Sequence, residues 1–271
     1  MPTHVLYHGD CPDGFGAAYA FHKFYSKTYT EPKYVPMKYR DQLPTNIATG
    51  DHVYMLDYSI PKAEIEKLRI AGVGVTVIDH HKTAEEDLKD VPGCIFNMDK
   101  SGATMAWQYM FGDAPVPALL AYVEDGDLWR FDLPHSRDVR AWIRSFPYEF
   151  EAWRGMEVAL EQLPYSVFQQ GEALRRLEGQ QVAQMTAPDR VQMLPIGDIQ
   201  VPVVNAAVLY SEVGEALNKK YPQYPFSAYW FKRADGKEQW GLRTQKDDVD
   251  VSMVARQYGG GGHRKASGFI L

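Results

Sequence analysis

Four short runs carry residue types that bind divalent cations and move protons. HGDCPDG holds His8, Asp10 and Asp13; DYS holds Asp57; DHH holds Asp79, His80 and His81; VEDGDLWRF holds Glu124, Asp125 and Asp127. Carboxylate and imidazole without thiolate suit a hard or borderline divalent ion: manganese, magnesium, cobalt or iron. So many carboxylates suit two ions bridged by one of them. Ions paired about 3.5–4 Å apart are a usual arrangement for hydrolysing phosphate esters. Each acid also has a plainer reading. Asp13 could cap a following helix, Asp10 could serve a turn, Asp57 could cap the loop before Pro61, and Asp125 and Asp127 could be turn residues at a helix end.

The elements around these runs decide between the two readings. His4–Tyr7, Val53–Leu56 and Val73–Ile78 read as apolar strands, the third rich in β-branched residues. Asp13–Ser26, Pro61–Ala71, Ala103–Phe111 and Pro117–Tyr122 read as helices, and the fourth acidic run is expected after a helix ending near Val123. Alternating strands and helices predict an α/β fold with a doubly wound, mostly parallel sheet. In such sheets the ligand crevice lies beyond the carboxyl ends of the strands. The first three runs all fall at such ends, so the metal reading outweighs the separate plain ones.

Composition excludes several classes. Of 271 residues, 45% are hydrophobic and 24% charged, as in a globular protein able to bury a core without disulfides. The net charge of −6 argues against a broad basic surface for long duplex DNA. No run approaches the roughly 18 apolar residues of a membrane span, and the N-terminus MPTHVLYHGD does not read as a signal peptide. The two cysteines, Cys11 and Cys94, stand far apart in no metal-type spacing. They suit a reducing, cytoplasmic compartment, and neither is expected to be a ligand.

The second half reads differently. A helix over Tyr165–Met185 is followed by strands at Val191–Ile196 and Ile199–Val204, a helix at Tyr210–Tyr221, and a hairpin, Phe226–Lys232 and Gln239–Thr244, about the turn ADGK. This predicts a catalytic domain over 1–163, a linking helix over 164–187 and a second, smaller α/β domain over 188–271. Near the end, Gly259–Gly262 precede His263, Arg264, Lys265 and an apolar strand. Four glycines suit neither helix nor ordinary strand, and a flexible loop is the plain reading. Exposed backbone N–H groups followed at once by cations suit a phosphate.

With DHH at 79–81 and GGGGHRKASGF near the end, the chain resembles the DHH phosphoesterase superfamily, whose members join a DHH catalytic domain to a DHH-associated domain and include RecJ-type exonucleases, nanoRNases and cyclic-dinucleotide phosphodiesterases. The resemblance covers nearly the whole chain. It implies metal ligation by His8, Asp10, Asp13, Asp57, His80 and Asp125, with Asp57 bridging two ions and Asp127 a weaker candidate for the place of Asp125. The family's aspartates usually alternate, whereas Asp10 and Asp13 are three apart. The catalytic residues implied are Asp57, His80 and His81, with His81 contacting the scissile phosphate or leaving group. Arg243, Gly261, Gly262 and His263 are implied to hold substrate phosphate or base, in a site closed between the two domains.

The function expected is a phosphodiesterase using two divalent ions, manganese first and magnesium or cobalt as alternatives, on short oligoribonucleotides, linear or cyclic dinucleotides or cyclic mononucleotides. A 3′-phosphonucleotide phosphatase and a non-catalytic nucleotide or single-strand binder are the competing readings. The intact ligand set disfavours the last. Tyr58, Trp129 and Phe131 could stack on a base or lie in the core, and core is favoured for Trp129. Oligomeric state is open, a homodimer among the options.

Overall fold

The computed structural model describes residues 2–27, 31–38 and 41–271. The chain divides into two units, Met1–Arg175 and Arg176–Leu271.

The first unit opens with β1 (Thr3–His8), α1 (Pro12–Tyr25), β2 (Lys33–Met37), β3 (His52–Leu56), α2 (Lys62–Ile70), β4 (Gly74–Asp79), α3 (Lys82–Leu88) and β5 (Cys94–Phe96). It continues with α4 (Gly102–Phe111), α5 (Ala118–Asp127), α6 (Ser136–Arg144), α7 (Phe150–Gln162) and the start of α8 (Pro164–Met185). The strands form one parallel sheet in the order β2-β1-β3-β4-β5. Parallel strands buried on both faces must be apolar on both. In β1, Val5 and Tyr7 join the core with α1, α4, α5 and α7, while Leu6 joins the opposite core with Val53, Met55, Ile65 and Leu88. The sheet is therefore doubly wound. Its order reverses direction between β1 and β3, where the rule for such sheets places the ligand crevice.

Sequence periodicity did not disclose β2, whose Pro36 removes a ladder donor; β2 survives because it is an edge strand. β5 is too short to show a pattern.

The second unit, beyond the end of α8, runs β6 (Gln192–Ile196), β7 (Ile199–Asn205), α9 (Tyr210–Lys220), β8 (Ser227–Lys232), β9 (Glu238–Arg243), α10 (Val251–Gln257), β10 (Gly261–Gly262) and β11 (Ala266–Ile270). Its mixed sheet has the order β10-β11-β9-β8-β7-β6, parallel only between β7 and β8. The ADGK turn closes the β8–β9 hairpin, with Gly236 at φ +83° and the Arg233 N–H donating to Lys237 O at 2.8 Å. The boundary between units falls inside α8, the helix expected to link them. No helix of the described residues is long and apolar enough to cross a membrane.

The glycine run corrects one expectation. Gly261 and Gly262 are strand residues, paired with Gly268 and Ser267. A Cβ at Gly260 would stand 2.1 Å from Gly268 O, so the close approach of two backbones requires glycine there.

Candidate metal centre

β1 and α1 meet in the loop Gly9–Cys11. Gly14 lets α1 lie over the end of β1: a Cβ there would sit 2.2 Å from His8 O. The resulting tight turn brings Asp13, in the first turn of α1, under the strand end, where it is buried. Asp13 does cap a helix, though not its own. Its Oδ2 and Oδ1 accept from Gly102 N at 2.7 Å and Ala103 N at 2.9 Å, at the start of α4. Those two bonds fix the carboxylate, and its Oδ2 lies 3.4 Å from His80 Nε2.

Asp57 follows β3 with φ +50°, a left-handed conformation that Asp tolerates better than most residues. Its two oxygens face different partners. Oδ2 is 3.4 Å from His8 Nδ1, and Oδ1 is 3.2 Å from His80 Nε2 and 3.7 Å from His81 Nδ1. Gly102 makes room for it: a Cβ there would stand 2.6 Å from Asp57 Cβ and 3.0 Å from Asp13 Oδ2.

Asp79, fully buried at the end of β4, orients the histidines. Its Oδ1 accepts from His80 N at 2.7 Å and His81 N at 3.2 Å, and lies 2.7 Å from His81 Nδ1. That contact puts the proton of neutral His81 on Nδ1 and makes Nε2 the acceptor nitrogen.

Within the first unit, three groups of described residues have ligand atoms within 4.8 Å of one another: His8, Cys11 and Asp57; Asp13, His80 and Asp127; Asp57, Asp79 and His81. Two donors bonded at about 2.1 Å and at right angles to one ion stand about 3 Å apart, close to the 3.2–3.5 Å separating His80 Nε2 from Asp57, Asp13 and Asp127. Asp79 Oδ2 is buried and accepts no hydrogen bond, and the buried Asp57 Oδ1 has imidazole nitrogens 3.2 and 3.7 Å away. Buried oxygens of this kind among imidazoles fit a divalent cation.

The electrostatics agree with that donor set. Burial pulls the His80 imidazolium down, but Asp13 and Asp57 outweigh it and hold its pKa well above the usual value. His8 is likewise raised against its burial, by Asp57 and Cys11. Burial would raise Asp57, yet the imidazoles of His8 and His80 beside it hold it far below the usual carboxylate range. Burial, then the charge of Asp13, pushes Asp127 up to about 7. Without a cation, protons on imidazoles supply the positive charge that the buried carboxylates need.

Two expected ligands stand elsewhere. Asp10 has φ +57°, is largely exposed, and pairs with Lys38 Nζ at 2.5 Å. Asp125 sits in the last turn of α5, where the acidic run ends the helix rather than following it. Its oxygens accept from Asp132 N at 2.9 Å and Leu133 N at 3.2 Å, so it pins the next loop. Asp127, two residues on and roughly 200° around the helix, stands with Asp13 and His80 instead, 3.5 Å from His80 Nε2. Cys11, not expected as a ligand, is also in a group. The spacing that departs from simple alternation was the signal for this exchange. Of the aromatics, Tyr58 is core. Trp129 is not, packing half-buried against Phe131, Arg137 and Arg140.

In the second unit, the register pairs Arg243 with Ala266, beside the turn that carries His263. The Arg243 Nε is buried without a hydrogen-bond partner. The glycine-loop donors are more committed than expected: Gly259, Gly260 and His263 donate their N–H groups to Arg256 O, Ala255 O and Ala266 O. Lys265 pairs with Asp247 at 2.6 Å, and Arg264 donates to Asp247 O.

A doubly wound parallel sheet whose switch point gathers buried carboxylates and imidazoles defines an α/β domain able to hold a metal. Within that class, residues 4–123 match the model of the DHH family, N-terminal domain. Uncharacterized protein R106 of Acanthamoeba polyphaga mimivirus is 29% identical over 287 residues, covering 98% of this chain and 67% of that protein. Oligoribonuclease NrnB of Bacillus subtilis (strain 168) is 27% identical over 239 residues, covering 80% of this chain and 59% of that protein. The chain thus spans about two thirds or less of these relatives' lengths. RecJ of Thermus thermophilus in complex with Mn2+ shares the fold at 15% identity and a TM-score of 0.54, covering 100% of this chain and 49% of that one.

Proposed function

We propose that the chain is a metal-dependent phosphodiesterase acting on short nucleotides, with two divalent ions shared through Asp57. The observation that carries this reading is the orientation of the Asp57 carboxylate, one oxygen toward His8 and the other toward His80. His8 and Asp57 would hold one ion, and Asp13, His80, Asp127 and Asp57 the other. Manganese is the first choice for an oxygen- and imidazole-rich set, with magnesium and cobalt next. Ions held there would neutralise phosphoryl oxygens and lower the pKa of water toward neutrality.

The chain's own residues supply position and proton transfer. Asp13 is held by the start of α4, so its free lone pairs keep one direction. The Asp79–His81 pair orients the imidazole, and His81 Nε2 is the group we assign to the scissile phosphate or the leaving oxygen. Arg243, Gly261, Gly262 and His263 are assigned to substrate phosphate or base. The buried Nε of Arg243 and its place beside the His263 turn favour that role. A relative named as an oligoribonuclease supports a short-nucleotide substrate, and the two unbridged cysteines support a reducing, cytoplasmic setting.

The test is a turnover panel with manganese: linear dinucleotides, cyclic dinucleotides, cyclic mononucleotides, 3′-phosphonucleotides and longer single strands, with products resolved by chromatography. Cleavage of short diesters is expected. Turnover confined to 3′-phosphomonoesters would replace the diesterase reading with a phosphatase, and metal-loaded protein that binds but turns over none would replace it with a nucleotide binder.

A further inference from the structure

The chain's first motif brings a donor besides Asp13 to the centre. Asp10, the acid expected in the crevice, is exposed in a left-handed turn and pairs with Lys38. The next residue takes its place. Cys11 Sγ lies with a nitrogen of His8 and an oxygen of Asp57, all within 4.8 Å of one another.

We propose that the Cys11 thiolate is a ligand of the ion held by His8 and Asp57, making that position a mixed sulfur, nitrogen and oxygen site. This inference rests on the metal-dependent reading above and deepens it.

Three observations besides proximity support it. Cys11 occupies the N-cap of α1, a place where Ser, Thr, Asp or Asn normally bonds the first turn, yet its side chain makes no capping bond. Pro12 pre-forms the first helical turn, and no cap bond ties the sulfur to the N–H groups of Asp13 or Gly14. Asp57, 1% exposed, turns its Oδ2 toward His8 Nδ1 at 3.4 Å, so a buried carboxylate oxygen and an imidazole nitrogen already converge in the group that holds the sulfur. Neither cysteine is in a disulfide.

The chemistry balances simply. The thiol and a divalent ion give a metal thiolate and a proton released to solvent, with no change of oxidation state. The consequence is a difference between the two positions. The group of Asp13, His80 and Asp127 offers oxygen and nitrogen only and suits manganese or magnesium. The group with Cys11 offers a soft donor and favours cobalt, iron or zinc over them.

Cobalt(II) is the probe, because a cobalt–thiolate bond gives an intense near-ultraviolet charge-transfer band that oxygen and nitrogen ligands do not. The full chain, reduced and kept under anaerobic conditions, is titrated with cobalt while absorption is recorded and bound metal is measured by elemental analysis. The wild-type chain is expected to develop the band, Cys94→Ser to keep it, and Cys11→Ser to lose it. Cys11→Asp is expected to lose the band while still binding metal, with its preference moved toward manganese. Cobalt bound by the wild-type chain without a charge-transfer band would overturn the thiolate ligand and leave the metal centre standing. Failure to bind cobalt at all would overturn both.

Discussion

The proposed centre gives Asp57 and its neighbours separable tasks, which makes substitutions informative. His81 is oriented by Asp79 and assigned to proton transfer. His81→Ala should therefore lower kcat by on the order of 10²–10⁴-fold, with metal content by elemental analysis unchanged. Loss of metal in that variant would make His81 a ligand instead. The two acids at the end of α5 give a sharper contrast. Asp125→Asn removes one of the two carboxylate acceptors that pin Asp132 and Leu133. It should cost about 1–3 kcal/mol in denaturant unfolding and leave metal binding intact. Asp127→Asn should do the reverse, losing metal with little loss of stability. Equal behaviour of the two would remove the distinction drawn from their directions around the helix.

At the scale of elements, the site depends on where α1 and α4 begin. Gly102→Ala would drive a methyl into Asp57 and Asp13, since the Cβ would lie 2.6 Å and 3.0 Å from them. Overpacking of this kind costs about 1–3 kcal/mol, and here the strain falls on two ligands. Activity should drop more than stability, measured as turnover beside thermal unfolding. The sequence disclosed the strands that carry His8, Asp57 and His80 because apolar β-branched runs end in acids, and the rule for doubly wound sheets says where such ends point. It did not disclose Gly102, whose importance comes from a contact with residues far away along the chain, nor that Cys11 rather than Asp10 stands beside His8 and Asp57, Asp10 sitting in a turn at φ +57°. Asp125 was preferred to Asp127 because a motif gives position along the chain, whereas helix phase sets direction. β2 and β5 were hidden by a proline and by brevity. The glycine run looked like a loop because glycine has weak strand preference; pairing with β11 overrides that.

At the scale of the whole molecule, protons and metal ions compete for one charge-rich centre. Asp127 titrates near 7 and His8 and His80 well above 6.5, all raised relative to an unfolded chain. Groups with raised pKa values bind more protons folded than unfolded, so their contribution to stability is lost as pH rises through those values. Chelator-treated protein should melt at progressively lower temperature from about pH 6 to about pH 8, and added divalent ion should reverse the trend. A Tm that rises with pH after chelation would contradict this reading of the centre. The central claim, two ions shared by one carboxylate, has its most direct test in counting metal. Wild-type protein loaded with manganese should hold two ions per chain and cleave short diesters, while folded Asp57→Asn, checked by circular dichroism, should lose at least one ion and its turnover together. Full metal content and near-normal turnover in Asp57→Asn would contradict the account.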